Sequence, residues 1–265
     1  MNPEELQEEK VEKTESIKRG IYILPNLLTT GSLFAGFYSM VASMNGNFGT
    51  AALWIFASAI FDGLDGKVAR LTGTTSKFGV EYDSLADLVA FGVTPALMVY
   101  AWALKPFGRV GWLAAFLFVA CGALRLARFN VQVNTVESKR FVGLPIPAAA
   151  SMVASTVLLF QHFGWPSSFK RLAIITLIYL LAFLMVSSFR YYSFKDPELI
   201  KRQPFGFLVL AIVLLIVVAA EPVVMVFSIM LIYVLSGPVA FVLTWPRRRR
   251  LEKAVHKGYE EAKGG

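Results

Sequence analysis

Cysteine is almost absent from this 265-residue chain: a single residue, Cys121, excludes an intramolecular disulfide framework and any multi-cysteine metal site. It sits inside an apolar stretch and reads as a small core residue. Charge is also scarce. Asp, Glu, Lys and Arg make up 17% of the residues, whereas soluble domains of this size run near about a quarter. With 56% hydrophobic residues and a mean hydropathy of +0.58, that shortage excludes disorder and argues against an ordinary soluble enzyme. Runs of roughly ten residues alternating between apolar and polar are missing, which excludes a membrane β-barrel. Only two histidines occur. His162 falls towards one end of an apolar span and His256 in a charged tail, so neither is assigned to catalysis. The halves of the chain show no internal repeat.

What is there is a series of apolar stretches long enough to cross a hydrocarbon layer of about 30 Å. Spans are predicted at 23–44, 49–71, 78–104, 108–130, 145–163, 171–190, 204–220 and 222–244, giving an all-α polytopic membrane protein of about eight transmembrane helices. Residues 1–22 alternate Glu4, Glu5, Glu8, Glu9, Glu12 and Glu15 with Lys10, Lys13, Lys18 and Arg19, which no signal-peptide core tolerates. They read equally as an amphipathic surface helix or a solvated tail. Residues 23–203 form the predicted functional core, 204–244 a two-helix C-terminal hairpin with one charge, Glu221, in its turn, and 245–265 a basic tail.

An even number of spans puts both termini on one side, and all 26 Lys and Arg residues except Lys105, Arg109, Lys170 and Arg171 fall on that side. The positive-inside rule then places both termini in the cytoplasm, in a cytoplasmic cell membrane. Trp54, Trp102, Trp112 and Trp165 fall near the predicted outer ends, as an aromatic belt requires. The net charge of +8 needs no nucleic acid, because anionic lipid is the nearer partner of a basic membrane face. Arg247 to Arg250 read as a topology and lipid-contact signal.

Carboxylates inside a membrane are expensive, at roughly 2.5–3.5 kcal/mol each on insertion scales, and mark functional sites by default. Of the 18 acidic residues, Asp62, Asp65, Glu81, Asp83 and Asp87 fall within or at the mouths of the second and third spans. Asp62 and Asp65 are three apart and Asp83 and Asp87 four apart, so each pair shares a helix face. The two spans are neighbours joined by a short polar loop, and their faces can bring four carboxylates together. Such a group requires divalent cations, and all-oxygen ligands suit Mg²⁺ or Mn²⁺ rather than zinc. Glu81 falls off the face of its neighbours. Gly63, Gly66 and Gly79 with Lys67, Arg70, Thr72, Thr74, Thr75 and Ser76 surround the acids. Glycines allow close approach, and a guanidinium presents a planar fork, so the constellation describes a place for a metal-bound polyphosphate.

The residues Asp62-Gly63-Leu64-Asp65-Gly66-Lys67-Val68-Ala69-Arg70, followed at fixed spacing by Gly79, Asp83 and Asp87, resemble the CDP-alcohol phosphotransferase pattern at every fixed position. The resemblance implies a six-helix core that passes a substituted phosphate from a CDP-linked donor to an alcohol and releases CMP. It also implies two Mg²⁺ or Mn²⁺ ions on Asp62, Asp65 and Asp83, with Asp87 as a catalytic base that also touches a metal. Gly66, Arg70 and Ser76 would contact the donor, and a homodimer is expected. Leu24-Pro25-Asn26-Leu27-Leu28-Thr29, Arg125-Leu126-Ala127-Arg128-Phe129-Asn130, Phe141-Val142-Gly143-Leu144-Pro145-Ile146-Pro147, Met185-Val186-Ser187 and Ser193-Phe194-Lys195 are similar to the membrane-embedded phosphatidylserine synthases of that family.

On that resemblance the expected substrates are CDP-diacylglycerol and L-serine. The serine carboxylate calls for a guanidinium near acceptors, which Arg125, Arg128 and Asn130 supply; as residues alone they read equally as anchors at a span's end. Asn26 either holds the nucleotide or caps its helix. Glycerol phosphate or inositol phosphate as acceptor, an ether-lipid donor, and, outside the class, a cation transporter remain the alternatives. A transporter predicts acids near the midplane, whereas these gather at one end.

Overall fold

A computed structural model describes residues 3–74, 76–133, 141–191 and 220–263, with side chains omitted over 3–22, 132–133, 141–142, 244–263 and at 167 and 190. Seven helices among the described residues are long and apolar enough to cross a membrane, so the chain is a multi-pass α-helical membrane protein. The predicted span at 204–220 lies almost wholly outside the described residues.

Helix α1 (Pro3–Met44) runs through Pro25, and α2 (Phe48–Thr72) returns along it after a turn at Gly46. Gly73, left-handed at φ +65°, ends α2. Ser76 then starts α3 (Lys77–Phe107), its Oγ accepting from the Gly79 N–H at 3.0 Å. α3 is not a uniform α-helix. It widens into π turns at Leu88–Val93 and Tyr100–Leu104, which the apolar pattern does not foretell. The first begins directly after Asp87, where π turns commonly re-aim functional side chains.

α4 (Arg109–Val133) leads to a two-residue strand β1 (Phe141–Val142), which pairs antiparallel with β2 (Arg190–Tyr191). Between them stand α5 (Ile146–Phe163) and α6 (Ser167–Val186). The sixth membrane span thus ends at Val186, four residues before the predicted limit, because the chain becomes extended at Ser187 to enter β2. α7 (Pro222–Lys263) closes the described chain.

α5 lies at the centre. Its inner faces carry Ala149, Ala150, Ala154, Ser151 and Ser155, all buried, and these small residues let α2, α6 and α7 pack closely against it. Gly36 of α1 meets the π turn of α3 so tightly that a Cβ there would lie 2.8 Å from Ala90 Cα. Thr94 Oγ1 donates to Val89 O (2.9 Å) and Gly36 O (3.2 Å), tying the two helices together at that point. Away from the aspartates, Trp102, Phe160, Trp165 and Phe169 form a ring cluster with Lys170 Nζ 4.7 Å from the Trp102 ring. His162 reaches Glu221 at 3.5 Å on the same end, well away from the acids.

Candidate active site

The antiparallel meeting of α2 and α3 places carboxylate oxygens of Asp62, Asp83 and Asp87 all within 4.8 Å of one another. Asp62 and Asp87 are close enough to share a hydrogen bond. Two carboxylates at that distance need a proton or a cation between them. Among the described residues no Lys or Arg forms an ion pair with any of the four aspartates, and Lys67 is exposed. A set of three oxygen donors with no basic group in ion-pair contact fits a hard divalent cation.

Asp65 stands apart from this triad. It is 5% exposed, and its Oδ2 accepts a 2.7 Å hydrogen bond from Thr29 Oγ1 of α1. The expected convergence of four carboxylates is therefore divided: three meet, while Asp65 and Asp83 together face a cleft. The cause is the third helix, because α1 packs against the Asp65 side of α2 and offers it a hydroxyl. Thr29 also donates to Pro25 O at 3.1 Å, the bond a helical threonine makes to the carbonyl one turn before it.

The cleft holds about 560 Å³ of empty space, part of it open to solvent. Asn26, Gly66, Arg70 and Ser76, the four residues expected to contact the donor, all line it, together with Asp65 and Asp83. Each is there for a local reason. Gly66 and Arg70 are one turn apart on α2, with the guanidinium about 3.6 Å from where a Gly66 Cβ would project. A Cβ on Gly79 would crowd Ser76 Oγ at 3.2 Å and Asn26 Oδ1 at 3.5 Å. Gly63 differs: nothing lies within 4 Å of its Cβ position, so it neither lines the cleft nor packs a helix. Thr74, one of the hydroxyls of the sequence constellation, also lines the cleft, as does Thr29, which that constellation does not include. Thr29 lies three residues after Asn26 on the same helix face, which is the signal that would have found it.

Of the three candidates for an acceptor site, Arg125 is brought to the aspartates. It is 9% exposed and interacts electrostatically with Asp87 and Asp62, and among the described residues its Nε has no hydrogen-bond partner. Asn130 is half-buried and donates from Nδ2 to Ser84 Oγ at 2.9 Å, beside the triad on α3. Arg128 is exposed. Glu81 is exposed as well, off the Asp83–Asp87 face.

Residues 22–186 match the family model described as CDP-alcohol phosphatidyltransferase. A CDP-diacylglycerol–serine O-phosphatidyltransferase of Helicobacter pylori is 47% identical over 178 residues, 67% of this chain and 75% of that protein. Another so named, from Mycobacterium leprae, is 42% identical over 156 residues, covering 56% and 52%. An archaetidylserine synthase of Methanothermobacter thermautotrophicus is 38% identical over 170 residues, covering 63% and 69%.

Proposed function

The chain belongs to the CDP-alcohol phosphatidyltransferase family, and from that premise we propose that it moves the phosphatidyl group of CDP-diacylglycerol to the hydroxyl of L-serine, giving phosphatidylserine and CMP. The observation that carries this reading is the continuity of the cleft with the carboxylate triad through Asp83, which borders both. The relatives named for bacterial and archaeal lipids both carry serine in their names, which supports serine as the acceptor and leaves the diacylglycerol donor resting on the more similar one.

In this reading the cytidine diphosphate occupies the cleft, with the acyl chains in the bilayer beside it. Arg70 presents its fork to a phosphate, Ser76 and Asn26 offer polar contacts, and Gly66 and Gly79 leave room for them. Asp62, Asp83 and Asp87, with Asp65 from the cleft side, would hold two divalent cations, Mg²⁺ or Mn²⁺, whose charge neutralises the diphosphate and the leaving CMP. Asp87 accepts the proton of the serine hydroxyl as that oxygen bonds to the phosphorus next to diacylglycerol. The bond from this phosphorus to the oxygen of CMP breaks, and CMP leaves with the electron pair. Arg125 holds the serine carboxylate, Asn130 borders the same side, and Arg128 lies at its exposed rim. Both termini and the site face the cytoplasm, the basic run Arg247 to Arg250 meets anionic lipid, and the protein works as a homodimer.

The test is a purified preparation given CDP-diacylglycerol and a panel of alcohols. Serine should yield phosphatidylserine and CMP in equal amounts. CMP release that is independent of serine, or better turnover with glycerol phosphate or inositol phosphate, overturns the acceptor.

A further inference from the structure

Asn130 stands near the end of α4, and Ser84 follows Asp83 on α3. The two meet: Asn130 Nδ2 donates to Ser84 Oγ at 2.9 Å, and Ser84 in turn donates to Val80 O, one turn before it, at 3.0 Å. A serine hydroxyl has a single proton to give. With that proton on Val80 O, Ser84 turns lone pairs alone towards α4, and of the two ends of the Asn130 amide only the NH₂ can meet them. The carbonyl end, Oδ1, is thereby aimed away from Ser84. Among the described residues it accepts no hydrogen bond, and Asn130 is only half-buried, so this oxygen is open to a small ligand. Ser84 is three residues from Asp87 and on the same face of α3, which puts the amide beside the carboxylate assigned to take the acceptor's proton. Arg125, five residues before Asn130 and about 7.5 Å away along the helix axis, is buried, with no partner for its Nε among the described residues. Along α4 there is thus one free donor, Arg125 Nε, and one free acceptor, Asn130 Oδ1. An amino acid needs both, because its carboxylate only accepts hydrogen bonds and its ammonium only donates them.

We propose that Ser84 is a positioning residue for the acceptor: it fixes the polarity of the Asn130 amide so that Oδ1 accepts from the serine ammonium, and so makes the site selective for an alcohol that carries an amine. This rests on the assignment of Asn130 to the acceptor. Ser84 itself touches neither substrate. The expected effect is on which alcohol is chosen, with the use of CDP-diacylglycerol unchanged.

Ser84→Ala removes the oxygen that orients the amide. Initial rates of CMP release in detergent–lipid micelles should show the KM for serine raised about 5- to 30-fold, with the KM for CDP-diacylglycerol and the Tm within error of the parent. The probe is β-hydroxypropionate, which is serine without its amine, run both as acceptor and as competitive inhibitor of serine. Its apparent affinity should hold, so that the preference for serine over it falls by the same factor as serine binding. Ser84→Thr, which keeps the hydroxyl, should restore the preference. Asn130→Ala should lose it, and adding Ser84→Ala to that variant should cost little further, since the two act as a unit. If Asn130→Ala loses the preference and Ser84→Ala keeps it, the positioning role is wrong while the assignment of Asn130 stands. If neither changes it, that assignment falls and takes Ser84 with it. Equal weakening of serine and β-hydroxypropionate in Ser84→Ala, or a donor KM and Tm that worsen alongside, shows a merely structural residue and overturns the proposal.

Discussion

Asp87 is the residue whose two roles can be pulled apart. It sits in the triad with Asp62 and Asp83 and next to the guanidinium assigned to the acceptor. Proton removal by a positioned base is typically worth about 10²–10⁴-fold in rate. Asp87→Asn should lower turnover by about that factor while CDP-diacylglycerol binding in Mg²⁺ is kept, as followed by titration with labelled donor. Loss of donor binding in parallel with turnover would make it chiefly a ligand. Arg70 is a cleft residue with no share in the triad. Arg70→Lys replaces a bidentate fork by a point charge, so the KM for CDP-diacylglycerol should rise at least about tenfold while the KM for serine holds. Equal rises in both would remove the contact from the donor.

At the scale of elements, the site depends on how closely α1 and α3 approach. Gly36 allows the contact with Ala90 at the π turn immediately after Asp87, and an added methyl would have to displace backbone. Overpacking of this kind costs about 1–3 kcal/mol. Gly36→Ala should lower the Tm in detergent and reduce activity by shifting Asp87 against Asp62. Gly63→Ala, with open space around its Cβ position, should leave the Tm at or above that of the parent. Equal effects of the two would mean that helix propensity, not the α1–α3 contact, governs this region. Gly63 and Gly66 each follow an aspartate and look alike in sequence. Only the neighbour that each one faces separates a packing glycine from a cleft glycine, as with Gly66, or from one that contacts nothing.

For the whole molecule, charge asymmetry and the depth of the acids make two predictions. Chelation with EDTA should abolish CMP release without unfolding the helices, as read by circular dichroism, and Mg²⁺ or Mn²⁺ should restore it. Activity that persists in excess EDTA would dismiss the metal role. In a Cys121→Ser background, an impermeant thiol reagent applied to intact cells should label Asn45→Cys, in the turn between α1 and α2, and not Lys77→Cys beside the aspartates. The opposite pattern would invert the topology. The number and approximate bounds of the described spans, and the shared helix faces of Asp62 with Asp65 and of Asp83 with Asp87, were legible from the chain, while Gly66, Arg70 and Ser76 entered through the family resemblance and Asn26 was left between a nucleotide contact and a helix cap. Hydropathy sums over contiguous residues, and helical spacing fixes which neighbours share a face. The separation of Asp65 from the triad by Thr29, the π turn after Asp87 and the close contact of Gly36 with Ala90 were decided by tertiary structure alone. Each depends on a residue of one helix meeting another helix many positions away, and no periodicity within a single segment specifies which side chain a neighbouring helix will present.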